Sequence, residues 1–314
     1  YTVNSTNDKV PHAEEPRDRE TITRGSGTAV GRVTGPLTAT YPLSSAVHAE
    51  RNRKEIAMSI RFEGTRLSST MPSYGMPPFT FRNNQTLYIT FKTSPDVLRA
   101  LVPEPLVVNP DSLMTIYVGT LNSIDPEQIS YHEAGLVVPA SYRDKKGSYM
   151  PILYLDKALP ITIGREVWGF PKFQADVGLE VENGVVHASV AKEGTTLIDA
   201  TLHVGESVPP TALPPVSVFL LKSIPSVEEG SMYDVKQLTT AVMRGRVDSE
   251  VRPGEATLRL GSTASDPLGM ISVLEVVSGV YTIGGFVLDY GEVVHDYLAE
   301  EKTTTALSQK LGRR

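Results

Sequence analysis

The chain has 314 residues, 40% hydrophobic and 21% charged, with a net charge of −6 and no cysteine. That is the composition of a globular protein with ample core, and its acidic balance argues against a general nucleic-acid surface. No apolar run reaches the roughly 18 residues of a membrane-spanning helix. The missing Cys excludes disulfides, thiol nucleophiles and Cys-ligated zinc or iron–sulfur sites. The six His are scattered without metal-ligand spacing, and no G-x-S-x-G elbow is present, so neither a metal nor a cofactor is expected.

Residues 1–70 read as an N-terminal arm. The first 45 or so are polar, with a mixed-charge run from His12 to Glu20 and no apolar periodicity, which fits an extended segment. Gly25-Ser26-Gly27 with Gly31 fails the G-x-G-x-x-G spacing. Arg51 to Ile60 fits a short helix, and packing of the arm on a neighbouring subunit of a homo-oligomer is the expectation. The chain begins at Tyr1 rather than Met, compatible with a processed mature form. With sequons at Asn4 and Asn84, the compartment stays open: the cytoplasm is favoured and secretion is compatible.

From residue 71 to 314 the pattern is that of a β-rich domain. Leu87 to Phe91 reads as a strand, and Ser94 caps a short helix that starts with Pro95 and stops before Pro103 and Pro105. Met114 to Leu121 and Leu136 to Ala140 are further strands, with Asn122 to Glu133 as a polar loop between them. Ala175 to Glu182 and Val185 to Ala191 alternate around Asn183-Gly184, a strong hairpin signal, and Leu197 to Val204 completes a meander. Val216 to Leu221, Leu238 to Val247, Ala256 to Leu260 and Val280 to Leu288 add strands. Many strands, few helices and no βα alternation predict a closed antiparallel barrel, which removes exposed edges.

One lysine stands out. In Gly164-Arg165-Glu166-Val167-Trp168-Gly169-Phe170-Pro171-Lys172-Phe173, Lys172 is enclosed by Trp168, Phe170 and Phe173. Burying an ammonium disfavours its charged form, and a neutral amine forms Schiff bases with carbonyl compounds. The structural alternative is a lysine that snorkels to water.

The stretch resembles the G-R-E-x-x-x-[YF]-P-K signature of acetoacetate decarboxylases and their relatives. Further blocks resemble the family in the same order: Val102-Pro103-Glu104-Pro105-Leu106, Tyr131 to Gly135, Lys146 to Tyr149, Leu153 to Asp156 and Glu292 to Leu298. The resemblance implies a cone-shaped β-barrel with Lys172 inside as the imine-forming residue and Glu133 as a pocket carboxylate. It also marks departures. Phe173 stands where the family has a second lysine, Asn84 where it has an Arg that attracts a substrate carboxylate, and Tyr117 or Val118 where it has a Glu. The expected function is therefore a Schiff-base lyase of aldolase–dehydratase or decarboxylase type, acting on a small oxo acid or related carbonyl compound. Poor turnover of acetoacetate itself is expected. The alternative is a cyclase, isomerase or binding protein that reuses the pocket without an imine. Lys172, Glu133 and Tyr117 are the expected catalytic residues, and Asn84, Trp168, Phe170, Phe173 and Tyr131 the expected substrate contacts. Arg165 and Glu166 are expected to hold the motif's backbone.

Overall fold

The computed structural model describes residues 74–209 and 215–301. The expected arm over 1–70, its helix over 51–60 and the Asn4 sequon lie outside the described residues.

Fourteen strands among the described residues form one hydrogen-bonded sheet. They are β1 (Phe79–Lys92), β2 (Val107–Val108), β3 (Leu113–Asp125), β4 (Ile129–Tyr142), β5 (Lys145–Tyr149), β6 (Leu153–Leu155), β7 (Lys172–Gln174), β8 (Asp176–Glu182), β9 (Val185–Lys192), β10 (Thr195–Val204), β11 (Val216–Pro225), β12 (Tyr233–Leu260), β13 (Glu275–Asp289) and β14 (Val293–Asp296). Neighbours run from β1 through β3, β4, β5 and β11 to β12, then through β13 back to β1, so the sheet curls round on itself. The expected β-rich barrel with few helices is what forms. Two short parallel pairings, β5 with β11 and β6 with β7, interrupt the otherwise antiparallel pattern.

β12 organises this closure. Its first part pairs with β11, its middle with β13 and its last residues with β10, which joins the ring to the β8–β10 meander. The sequence suggested two strands here. They are one, because the intervening Asp248 to Glu255 is polar and carries no alternating apolar face to mark it, yet its backbone is paired throughout most of its length. A second correction concerns Asn122 to Glu133, expected as a loop. Only residues 126–128 separate β3 from β4, and Glu133 sits within a strand opposite Gly119. Asp125, Gln128 and Ser130 are exposed while Glu133 lines the cavity, and in sequence the two kinds of polar residue look alike.

Two apolar layers follow from strand alternation. Leu87, Ile89 and Phe91 of β1 pack with Ile116, Val186 and Leu202 in a core shared with the meander. Phe79, Phe81, Tyr117, Leu121, Tyr131 and Val218 form the other cluster. The hairpin at Asn183-Gly184 turns with positive φ at both residues (50° and 78°), as its two-residue turn requires.

Helices are few. In α1 (Pro95–Leu101) the Ser94 hydroxyl accepts from the Asp96 amide at 3.3 Å, and Pro95 occupies the first turn, as read from sequence. α2 (Ala158–Ile163) runs straight into a π-helical turn, Gly164–Trp168. No described helix is long and apolar enough to cross a membrane.

Candidate active site

The site is built on that π-helical turn, a feature frequent at functional positions. It ends where Gly169 adopts φ 90°, and the amides of Gly169 and Phe170 both donate to the Gly164 carbonyl at 3.0 Å. The turn is held from every side. Trp168 Nε1 donates to the Asp289 carbonyl at 3.0 Å, and the Thr239 hydroxyl donates to the Trp168 carbonyl at 2.5 Å. Lys222 Nζ donates to the Val167 carbonyl at 3.2 Å, and Glu166 accepts from the Tyr74 hydroxyl at 2.6 Å. Burial pushes the Lys222 ammonium down, against the opposing pull of Glu166. Arg165 Nη1 donates to the carbonyl of Lys172 at 3.2 Å, so Arg165 serves the motif's backbone, whereas Glu166 is tied to the Tyr74 side chain, and neither lines the cavity. Gly164 has a specific steric role. A Cβ there would lie 2.7 Å from Lys172 Cδ and 2.8 Å from its Cε, so the lysine lies directly across the bare glycine.

Lys172 is the first residue of β7 and only 7% exposed; Glu133, on β4, is 6% exposed. Their Nζ and Oε2 atoms stand 2.8 Å apart. The contact is a close ion pair without hydrogen-bond alignment, and Oε2 has no hydrogen-bond partner. The other carboxylate oxygen accepts from the Tyr117 hydroxyl at 2.6 Å. Burial first, then the negative charge and hydrogen bond of Glu133, push the Tyr117 phenol well above its usual range, so it stays protonated and donates. Tyr117 faces the cavity while Val118 belongs to the opposite core, which decides which of the two stands beside Glu133.

The rings of Phe170 and Tyr131 lie 5.2 and 5.7 Å from Lys172 Nζ. Burial also pushes the Tyr131 phenol well up, aided by the charges of Glu133 and Asp156. Trp168 sits behind this wall, edge-on to Phe79 and Phe170. The Glu133 carboxylate thus joins the Phe170 and Tyr131 rings around the amine. Phe173 is not in the enclosure. Alternate residues of a strand face opposite sides, so its ring is 42% exposed and lies 5.6 Å from the Arg165 guanidinium and 5.9 Å from Lys192 Nζ. Two neighbouring clusters are structural. His132 and Asp156 clamp β4 through two contacts of 2.9 Å, and buried Asp266 joins Lys192 (2.6 Å) to Tyr154 (2.9 Å).

In front of the amine is a cavity of about 200 Å³, below the roughly 300–1,000 Å³ of drug-sized pockets and suited to a small molecule. Asn84 lines it, 4% exposed, with Oδ1 accepting from the Asn122 amide at 2.8 Å and Nδ2 without a partner. Such burial does not present the Asn84 sequon to solvent. Arg82 is exposed and outside the lining. The sequence reading missed Arg246 and Asp248 of β12, both of which line the cavity. Asp248 is 8% exposed, and its burial raises its carboxyl above the ordinary range against the opposing charge of Arg246. The cavity therefore does contain a cation, from a strand far in sequence from Asn84. Among the described residues no three His, Asp or Glu side chains gather as metal ligands.

Comparison with known proteins agrees with this architecture. The family model described as acetoacetate decarboxylase matches residues 59–298. Acetoacetate decarboxylase 2 of Mesorhizobium japonicum is 32% identical over 251 residues, covering 78% of this chain and 94% of that protein. The crystal structure of acetoacetate decarboxylase from Legionella pneumophila superposes with a TM-score of 0.65 at 27% identity, covering 77% of this chain and 96% of the other. The enduracididine biosynthesis enzyme MppR, in complex with pyruvate, shares the fold with a TM-score of 0.64 at 19% identity over 76% of this chain and 99% of its own. With a family model spanning most of the chain, and with the buried lysine–carboxylate pair lying inside the matched region, the chain belongs to the acetoacetate decarboxylase family.

Proposed function

We propose that the chain is a Schiff-base-forming lyase that acts on a small oxo acid through Lys172. The observation that carries this reading is the buried Lys172–Glu133 pair facing a small cavity. An ion pair of this kind is costly to bury, and its retention beside an open cavity favours a chemical role.

Glu133 Oε2, with no hydrogen-bond partner of its own, takes a proton from the Lys172 ammonium. The neutral amine attacks the substrate carbonyl to give a carbinolamine. Glu133 returns the proton to the departing hydroxyl, and water leaves as the iminium forms. The iminium accepts the electron pair of an adjacent bond. If that bond leads to a carboxylate, carbon dioxide departs and an enamine remains; if it is a C–H bond, the Glu133 carboxylate takes the proton and an enamine forms for addition to an aldehyde. Protonation at carbon and hydrolysis of the imine release the amine again. Tyr117, bonded to Glu133 Oε1 at 2.6 Å, orients the carboxylate throughout.

Arg246 changes the expectation for acetoacetate. Poor turnover was expected from two departures, the missing family acid at Tyr117 or Val118 and the neutral Asn84, and Arg246 in the cavity lining supports an offset to the second. The reaction type is tested by incubating the protein with acetoacetate, and separately with pyruvate plus an aldehyde, while following acetone and condensation products. The proposal expects one of these products from the wild-type protein and none from Lys172→Ala. Turnover that survives Lys172→Ala would overturn it.

A further inference from the structure

The strand registers at one end of the cavity are unusual. β13 runs in phase, with Thr282, Gly284, Phe286 and Leu288 all lining the cavity. β1 gains one residue opposite Gly285, and β12 gains one opposite Phe286 and another between Gly284 and Ile283. On β1 the pairing jumps from Phe81↔Phe286 to Asn84↔Gly284, with Asn83 at φ 51°. On β12 it jumps from Arg244↔Val287 to Val247↔Gly285, with Gly245 at φ 61°. These are β-bulges, which reverse the in–out phase of a strand and often re-aim a side chain beside a site. Before the β1 bulge Phe81 lines the cavity; after it Asn84, Thr86 and Tyr88 do. Before the β12 bulge Met243 lines it; after it Arg246 and Asp248 do.

The two re-aimed groups meet across one glycine. Asn84 pairs with Gly284, and Gly284 pairs with Asp248. Adjacent strands lie about 4.8 Å apart, so the backbones of Asn84 and Asp248 are separated by roughly 10 Å with no side chain between them. A Cβ on Gly284 would fall 2.3 Å from Asp248 Oδ1, so the carboxyl of Asp248 lies over the bare glycine. The result is a notch with a guanidinium, a carboxyl and an unpartnered amide donor, in the same cavity as the amine of Lys172.

We propose that this notch is the specificity site of the cavity, where Arg246 and Asn84 Nδ2 bind the carboxylate of the substrate while the neighbouring Asp248 carboxyl opposes that anion. The proposal rests on the Schiff-base reading for the identity of the substrate's other end, an oxo group at Lys172. It assigns the anion-binding cation to β12 rather than to β1, where the exposed Arg82 and neutral Asn84 offer none.

Binding of butyrate to the full chain, followed by ligand-observed NMR or calorimetry, tests this apart from imine chemistry, because butyrate has no carbonyl for Lys172. Saturable binding is expected, weakened about ten- to a hundredfold in Arg246→Gln by loss of a charge-assisted hydrogen bond. Arg246→Lys recovers part of that affinity, which separates charge from folding, and Asp248→Asn tightens binding by removing the competing carboxylate. No binding to the wild type, equal affinity in Arg246→Gln, weaker binding in Asp248→Asn, or preference for butylammonium would each overturn the proposal. Failure of imine trapping with butyrate binding intact would instead count against the Schiff-base reading alone.

Discussion

Gly164→Ala is the most revealing single perturbation of the Lys172 environment. The added methyl would lie 2.7 Å from Lys172 Cδ, 2.8 Å from Cε and 3.2 Å from Nζ, where ordinary contact begins at 3.4 Å. The lysine side chain must therefore retreat by about 0.7 Å at Cδ. Because the atoms struck belong to the far end of a flexible side chain, the fold adjusts cheaply. The amine, however, loses its 2.8 Å contact with Glu133 and its aim into the cavity. A misplacement of about 1 Å in a reacting group lowers rates on the order of a hundredfold, so the rate of borohydride-trappable imine formation should fall by tens of fold while the melting temperature moves little. Unaltered trapping in a folded Gly164→Ala protein would refute the reasoning, since it would mean that the position of Lys172 against this glycine is irrelevant to its chemistry.

Other expectations follow from single contacts. Tyr117→Phe removes the 2.6 Å hydrogen bond to Glu133 and should slow imine formation about ten- to a hundredfold, measured as the trapping rate at fixed substrate. Phe173→Lys should leave the pH profile of trapping unchanged, because the side chain at 173 lies on the far side of β7 between Arg165 and Lys192. For Asp266, burial alone would raise the carboxyl, but bonds from Lys192, Ser265 and Tyr154 overrule it and hold the value at about 2, below the ordinary 3.8. A depressed folded value stabilises the protein above the unfolded value, and that contribution is lost as pH falls from near 3.8 towards 2. Asp266→Asn should therefore lower the melting temperature at neutral pH and flatten its acid dependence in that window. A pH–melting curve parallel to wild type would contradict this.

What the sequence revealed, and what it hid, follows from the range of the forces involved. The Asn183-Gly184 hairpin and the Ser94 cap were legible because a few adjacent residues dictate them. The lysine motif was legible as a resemblance, but its surroundings were not. Adjacency in sequence placed Phe173 beside the amine, whereas strand geometry sends it to the opposite face. Glu133 looked like a loop residue because its polar neighbours resemble a solvated segment. Arg246 and Asp248 were invisible for a longer-range reason. Their inward aim depends on a bulge at Gly245 and on pairing with Gly284, itself paired with Asn84 some 160 positions earlier in the chain than Asp248. No local pattern carries that register.

The central claim is that Lys172 forms an imine inside the cavity, and peptide mapping after borohydride reduction tests it most directly. Full-length protein is reduced in the presence of pyruvate or acetoacetate, digested, and read by tandem mass spectrometry across its lysines. The account predicts one dominant reduced adduct, on Lys172, absent when Lys172 is replaced by Ala. No adduct with either acid, or adducts spread over exposed lysines such as Lys92 and Lys145 with Lys172 unmodified, would contradict it.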